Sequence, residues 1–356
     1  MAQNRAGWQV MMKASRQLSM VIPGLFGPAE IKQLPEVWQD LSLPALELLL
    51  SRTRQGNVEA RGLEQTLFKL FQLNTGRGDD IPVAALTRQW EVQDAGGYWW
   101  LRADPVHLCA DRDRIVMLGN QMLNISAEEC RELALELNRH FSAEDWLLDA
   151  ANARRWYVRL DKDPQVATTA LPDVIGQDIL HYMPHGKAER HWRSMMNEVQ
   201  MVLHSSRVNQ EREARGAPAI NSLWFWGSGR LPCPVAVHWS QLWGNDAFSQ
   251  ALASQARVPC ASLPPDAAEW LEDDRPGEQL MILDGLRDKV QFANVEAWRE
   301  CVQILHDGWF APLFTALKQR RLVALHLYPA DGTVLRLSAG DARRWWVRRR
   351  SLAQWL

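Results

Sequence analysis

The run from His191 to Pro234 constrains the chain most, because helix, helix, strand and glycine punctuation are compressed into one short span. Trp192, Met195, Met196, Val199 and Leu203 recur at i, i+3, i+4, i+7 and i+11, which predicts a helix with one apolar face. Glu198, Gln200 and His204 fall on the other side. Val208 to Arg215 predicts a second short helix, stopped by Gly216 and kept from restarting by Pro218. Ala219 to Trp226 reads as a buried strand, nearly without charge. Gly227-Ser228-Gly229 reads as a turn, and Pro232 and Pro234 keep the exit extended. Two roles are open for this run. Trp224, Phe225 and Trp226 fit core or domain-interface aromatics; alternatively, Asn209, Arg212, Asn221 and the glycines line a pocket for an anionic small ligand.

Upstream, residues 1–17 are mixed and polar and read as an arm ahead of a first strand, Leu18 to Phe26, ending at Pro23-Gly24. Leu43 to Leu50 and Gly62 to Leu73 predict helices, the second amphipathic through Leu63, Leu67, Leu70 and Phe71. The loop from Asn74 to Asp80 lacks the Gly-Lys-Ser/Thr ending of a phosphate-cradling loop. A short helix over Pro82 to Trp90 precedes a strand, Tyr98 to Leu108, in which Pro105 demands an edge or a bulge. Arg114 to Leu118 is another strand. Ser126 to Phe141 carries the clearest helix signal, with Ser126 as cap and Glu129 three residues on. Trp146 to Leu148 and Trp156 to Leu160 read as a hairpin whose Arg155 and Arg159 face one side.

Downstream, a helix is expected from Asp246, a buried strand over Gln279 to Leu283, and a long helix over Val295 to Gln319 interrupted near Gly308 and Pro312. Arg321 to Tyr328 is a strand, Asp331-Gly332 turns it, and TVLRL answers. The basic end, GDARRWWVRRRSLAQWL, is expected to form an amphipathic helix with a solvated charged face, the alternative being contact with an acidic surface or RNA.

The segment HSSRVNQEREARGAPAINSLWFWGSGRLP resembles part of the archaeal-type, cofactor-independent phosphoglycerate mutases. Val208-Asn209, Arg212, Gly216, Pro218-Ala219, Asn221, Leu223-Trp224, Trp226-Gly227 and Gly229 carry the match, while Ile220 is an extra residue and Ser206-Arg207 replaces a His-Pro pair. RADPVHL, ISAEECREL and the strand at Trp156 to Leu160 extend it over residues 98–232. The whole chain also resembles a bacterial group labelled RpfE-type regulatory proteins. The alternation of strands and helices gives an α/β class. Together with the resemblance, this leads to the expectation of a degenerate alkaline-phosphatase-like core over 1–90 and 231–356, with an inserted α+β domain over 91–230.

The resemblance implies a serine nucleophile activated by a metal pair. Yet Pro23 stands where a ligand aspartate precedes a glycine, and Leu63 follows Gly62 where the serine is expected. Asp284, Asp288, His306, Asp307, His326 and Asp331 lack the spacing of the late ligands. The anion-binding positions are better kept: Arg102 and His107 on RADPVHL, Arg155 and Arg159 on RWYVRL, with Asn209, Arg212 and Asn221. The alternative for these arginines is structural pairing with Asp104, Glu128 or Asp161. His107 fits a satisfied structural histidine.

A net charge of −2, from 40 Lys+Arg against 42 Asp+Glu, opposes a general nucleic-acid or membrane-surface role. The five cysteines are widely spaced, without a metal or disulfide pattern, and fit reduced cytoplasmic thiols. The expectation is a soluble, cytoplasmic, non-catalytic phosphoglycerate-mutase-like regulatory protein, without catalytic residues, metal or cofactor. Its expected ligand is a phosphorylated or carboxylate small molecule, alongside a protein partner yet unknown. The alternative is an active mutase or phosphatase with relocated ligands.

Overall fold

The computed structural model describes residues 16–28, 31, 35–74, 80–112, 114–119, 122–273 and 275–355. All but the last two residues of the expected arm, and most of the loop at 74–80, lie outside them; Arg16 and Gln17 open the first strand. The strands are β1 (Arg16–Val21), β2 (Arg54–Asn57), β3 (Trp99–Asp111), β4 (Arg114–Leu118), β5 (Leu147–Asp149), β6 (Tyr157–Leu160), β7 (Ser222–Gly229), β8 (Trp239–Trp243), β9 (Cys260–Ala261), β10 (Gly277–Ile282), β11 (Ala324–Tyr328) and β12 (Thr333–Ser338).

The chain divides into Met1–Gln72 with Val235–Leu356, and Leu73–Pro234. The first boundary falls earlier than the expected residue 91, because the Val83–Val92 helix packs on β3 and β7.

The core unit is built on a seven-stranded sheet ordered β2-β12-β11-β1-β10-β8-β9. The pairs among β11, β1, β10, β8 and β9 are parallel, and β12 and β2 are antiparallel. Alternation within each strand aligns Leu335, Leu327, Met20, Met281 and Trp243 in one apolar row across five strands. That row joins a core cluster with residues from the Pro44–Arg52, Ala267–Glu272, Val295–Leu305 and Ala311–Lys318 helices. The Leu63–Leu70 helix packs against β1 and against the Ala247–Ala256 helix. The interruption expected near Gly308 and Pro312 is a π-helical turn, His306–Phe310. It seats Pro312 in the first turn of the next helix, where a missing N–H costs nothing.

The basic end does not form the amphipathic helix expected. Its only helical pieces among the described residues are 3₁₀ turns at Asp341–Arg343 and Leu352–Gln354. Ala342 and Leu352 are buried in the core and Trp355 packs against it, while Trp345 and Trp346 are exposed.

The inserted unit is an antiparallel sheet ordered β4-β3-β6-β5, with β7 also on β3. Pro105 lies on β3 beyond its ladder with β6, which ends at Arg102, and before its ladder with β4, which begins at His107. Its absent N–H therefore breaks neither of these two ladders, although Pro105 does stand opposite Leu223 in the ladder with β7. The capping box of the Ala127–His140 helix is present, with Ser126 and Glu129 reciprocally bonded. The Glu189–Ser205 helix buries the five residues of the predicted stripe and sets Trp192 against Phe225 of β7.

The glycines of the opening run do not form a turn. They are the buried end of β7. Gly227 has φ +65°, and a Cβ there would stand 2.9 Å from the Val83 Cβ. The glycine thus admits both a left-handed backbone and the close approach of the Val83–Val92 helix. Gly227→Ala is expected to lower stability by about 1–3 kcal/mol, read as a shift in urea midpoint with unchanged slope.

Candidate functional site

Six of the seven side chains singled out for anion binding are engaged by other protein groups. On β3, the Arg102 guanidinium meets the Asp104 carboxylate through three hydrogen bonds of 2.7–3.1 Å. The Trp226 indole adds a fourth at 2.8 Å, and the Trp156 N–H a fifth at 3.3 Å. Arg102 is 5% exposed and Asp104 1% exposed, so the pair is an internal one. Burial pushes the Asp104 carboxyl up, and Arg102, Trp226 and Trp156 pull the other way.

Arg212, fully buried, donates to the Pro218 carbonyl at 2.8 Å, to Glu129 at 3.0 Å and to the Leu123 carbonyl. Asn209 bridges two segments: its amide donates to the Leu203 and Ile220 carbonyls at 2.7 and 2.8 Å and accepts from the Ile220 N–H at 2.7 Å. The extra residue Ile220 is thereby bonded at both backbone groups by one side chain. Asn221 accepts from the Leu108 N–H at 2.7 Å and donates to the Leu108 carbonyl at 2.9 Å. It ties its strand to β3. His107 donates its Nδ1–H to the Ala219 carbonyl at 2.7 Å. Arg155 pairs with Glu91, which also accepts from the Tyr157 hydroxyl at 2.5 Å.

Arg159 differs. Among the described residues it has no hydrogen-bond or ion-pair partner, and it lies over the Tyr98 ring at 4.5 Å. It lines a cleft of about 410 Å³ with Tyr98, Trp100, Leu147 and Arg88. Arg88 is held there by Asp94, at 2.6 and 2.8 Å, and by Asp149. The cleft thus holds one guanidinium with unused donors beside an aromatic wall, with Asp94 and Asp149 also on its lining and the Arg159 charge felt by Asp94. Sequence reasoning grouped Arg159 with Arg155. Nothing local to either residue shows that only Arg155 meets a carboxylate, Glu91, from a distant helix.

In the core unit the carboxyl ends of the parallel strands bring together groups that the sequence left apart. This edge is where ligands bind in open α/β sheets. After β1, Pro23 is buried and Gly24, at φ +81°, is packed against Leu286 and Val290. The Leu63–Leu70 helix starts beside the loop after β11, because the Gly62 N–H donates to the Ala330 carbonyl at 2.8 Å. Leu63 is 3% exposed. The next residue, Glu64, receives both Arg287 nitrogens, each at 2.9 Å. Asp246 caps the Ala247–Ala256 helix through one oxygen. Its Oδ2 is buried without a partner among the described residues. Burial pushes the Asp246 carboxyl up, and the Asp284 and Glu64 charges push the same way. Asp284 is also raised, first by burial. Arg287 was not singled out from sequence; its place in the first turn after Asp284-Gly285 was the available signal.

These residues do not fit a metal pair. The Glu64 carboxylate is covered by a guanidinium, and no three His, Cys, Asp or Glu among the described residues are grouped to hold an ion.

The sequence model of the 2,3-bisphosphoglycerate-independent phosphoglycerate mutase family matches residues 68–209. The chain is similar, over most of its inserted unit, to the cofactor-independent phosphoglycerate mutases. A probable mutase of this kind from Geobacter sulfurreducens is 27% identical over 139 residues, 38% of this chain and 35% of the relative. One from Methanothermobacter thermautotrophicus is 36% identical over 61 residues, 17% of this chain and 15% of the relative. The matches therefore span about a third or less of these relatives. The cofactor-independent phosphoglycerate mutase structure from Thermoplasma acidophilum aligns with 96% of this chain and 94% of its own, at 14% identity and a TM-score of 0.48. No described helix is long and apolar enough to cross a membrane.

Two outcomes test the structural roles. Asn221→Ala leaves both backbone groups of Leu108 without their partner and should cost about 1–3 kcal/mol, seen as a lowered melting temperature. For Glu129, burial alone would raise the carboxyl, but the Ser126 N–H, Arg215 and Arg212 outweigh it and hold it below its ordinary value of 4.5. A depressed folded value stabilises above the unfolded value and is lost as pH falls through the folded one. The stability gap between wild type and Glu129→Gln should therefore be full at pH 7 and close as pH falls below 4.5, as followed by urea titration at several pH values.

Proposed function

We propose that the chain is a non-catalytic relative of the cofactor-independent phosphoglycerate mutases that acts by binding, as a regulatory protein of the RpfE type. The observation that carries this reading is the start of the Leu63–Leu70 helix. A buried leucine stands where the resemblance puts a hydroxyl nucleophile, and the neighbouring carboxylate is closed by Arg287. Leucine cannot attack phosphorus, and without an activated hydroxyl no covalent phosphoryl intermediate forms. Pro23, packed at the end of β1, cannot supply a ligand oxygen.

The ligand is a small phosphorylated or carboxylate molecule held in the Arg159 cleft of the inserted unit. Support comes from the contrast among the arginines. Arg102, Arg155 and Arg212 are each matched by a carboxylate, whereas Arg159 keeps its fork. An anion on that fork would rest against Tyr98 and Leu147.

The second reading, an active mutase or phosphatase with relocated ligands, is favoured by one feature, the unpartnered Oδ2 of Asp246 close to Asp284. Elemental analysis with a coupled mutase assay in added manganese, zinc or cobalt separates the two. The binding reading expects neither stoichiometric metal nor turnover. Metal together with turnover that disappears in Asp284→Ala establishes the enzyme. Calorimetric titration with phosphoglycerates should show heat for wild type, with affinity at least about tenfold weaker in Arg159→Ala. Equal binding by both proteins removes the cleft from the proposal.

A further inference from the structure

Trp100, Trp156, Trp192, Trp224, Trp270 and Trp298 are each 3% exposed or less, whereas Trp345 is 83% and Trp346 64% exposed. An indole in water forgoes the largest apolar burial of any side chain, and two adjacent ones mark a surface that something else covers. The segment bearing them is tied down on both sides. The Ala342 carbonyl accepts from Arg52 at 2.5 Å, the Arg350 N–H donates to Ser51 at 2.9 Å, and the Leu352 N–H to Glu47 at 3.1 Å. Arg344 pairs with Asp341 at 2.6 Å and Arg349 with Glu47 at 3.3 Å. The indoles are therefore displayed from a chain segment whose neighbours are bonded into the core unit.

Within residues 343–350 every charged side chain is an arginine, and Asp341 and Glu47 each meet one of them. Arg343, Arg348, Arg349 and Arg350 are exposed. Among the described residues, the side chains of Arg348 and Arg350 have no acceptor, and Arg343 reaches only the Lys318 carbonyl, at 3.1 Å. Unused guanidinium forks beside bare indoles are the two side-chain types that dominate binding energy at protein interfaces. The rings narrow the class of partner. They stand 6.1 Å apart at 85°, so they form a corner. Successive bases of a single strand stack on parallel faces, which this pair does not offer. The segment also lacks the continuous helical face with which an interfacial helix enters a bilayer.

We propose that residues 343–350 are a docking surface for an acidic segment of a partner protein. Carboxylates of that segment would sit on Arg348 and Arg350, and one of its apolar side chains would fill the corner between Trp345 and Trp346. This surface belongs to the core unit and is independent of the Arg159 cleft. The opposite charge speeds and orients encounter, and the buried indoles hold the complex.

The test uses the full chain and a short synthetic peptide of glutamates around one leucine, with tryptophan fluorescence and calorimetry as readouts. The comparison proteins are Trp345→Ala/Trp346→Ala and Arg348→Glu/Arg350→Glu, whose melting temperatures should stay at the wild-type value because neither pair is buried. Wild type should bind the glutamate peptide, with affinity at least about tenfold weaker in each double variant and no binding of the same peptide with lysines. Three results overturn the proposal. They are no binding of the acidic peptide by wild type, equal binding by the tryptophan variant, and preferential binding of phosphatidylglycerol vesicles or of oligothymidine.

Discussion

The Asp104 carboxylate, 1% exposed at the middle of β3, organises the inserted unit. Its two oxygens accept from the Arg102 fork, from the Trp226 indole of β7 and from the backbone N–H of Trp156, just before β6. One buried charge therefore joins three segments that are distant in sequence. Taking away Arg102 alone would leave that charge uncompensated, at a cost of about 3–5 kcal/mol. The same guanidinium lies over the Tyr157 and Trp226 rings, and Tyr157 passes the network on to Glu91 and Arg155. Arg102, Arg155 and Arg212, which looked like anion receptors, are the positive members of internal ion pairs.

The core unit shows the same principle at the carboxyl end of its sheet. Glu64 and Arg287 close on each other in a two-point fork, both largely buried. Fork geometry satisfies both carboxylate oxygens at once, so a further ligand would have to displace a charge-assisted pair before it could bind. The open valences of the molecule lie elsewhere. Among the described residues they include the Arg159 fork above Tyr98 in one unit and the Arg348 and Arg350 forks beside two bare indoles in the other.

Local signals were legible from the amino-acid sequence alone. The stripe from Trp192 to Leu203, the Ser126 capping box, the helix start at Asp246 and the break near Gly308 and Pro312 all stand where the residue pattern put them. Each rests on neighbours within about one or two helical turns. The failures share a different origin. Gly227 and Gly229 looked like a turn because glycine usually relieves a turn; here they make room for Pro82 and Val83. The basic end looked like an amphipathic helix; in the fold Ala342 and Leu352 take the buried positions and leave the Trp345 and Trp346 indoles outside.

What the sequence by itself determined is the α/β alternation, most helices and strands, the resemblance carried by the opening run, and the absence of a hydroxyl at Leu63. These depend on residue identity and on short-range spacing. What only the tertiary structure decided is which charged side chains are spent and which are free. Arg155 and Arg159 sit four residues apart with the same chemistry, and no local rule separates them. Glu91, brought in by the Val83–Val92 helix, neutralises the first and leaves the second over Tyr98. The reason is physical: the fate of a charge depends on the opposite charge within a few ångströms and on how much water remains between them, and neither is written in the order of residues along the chain.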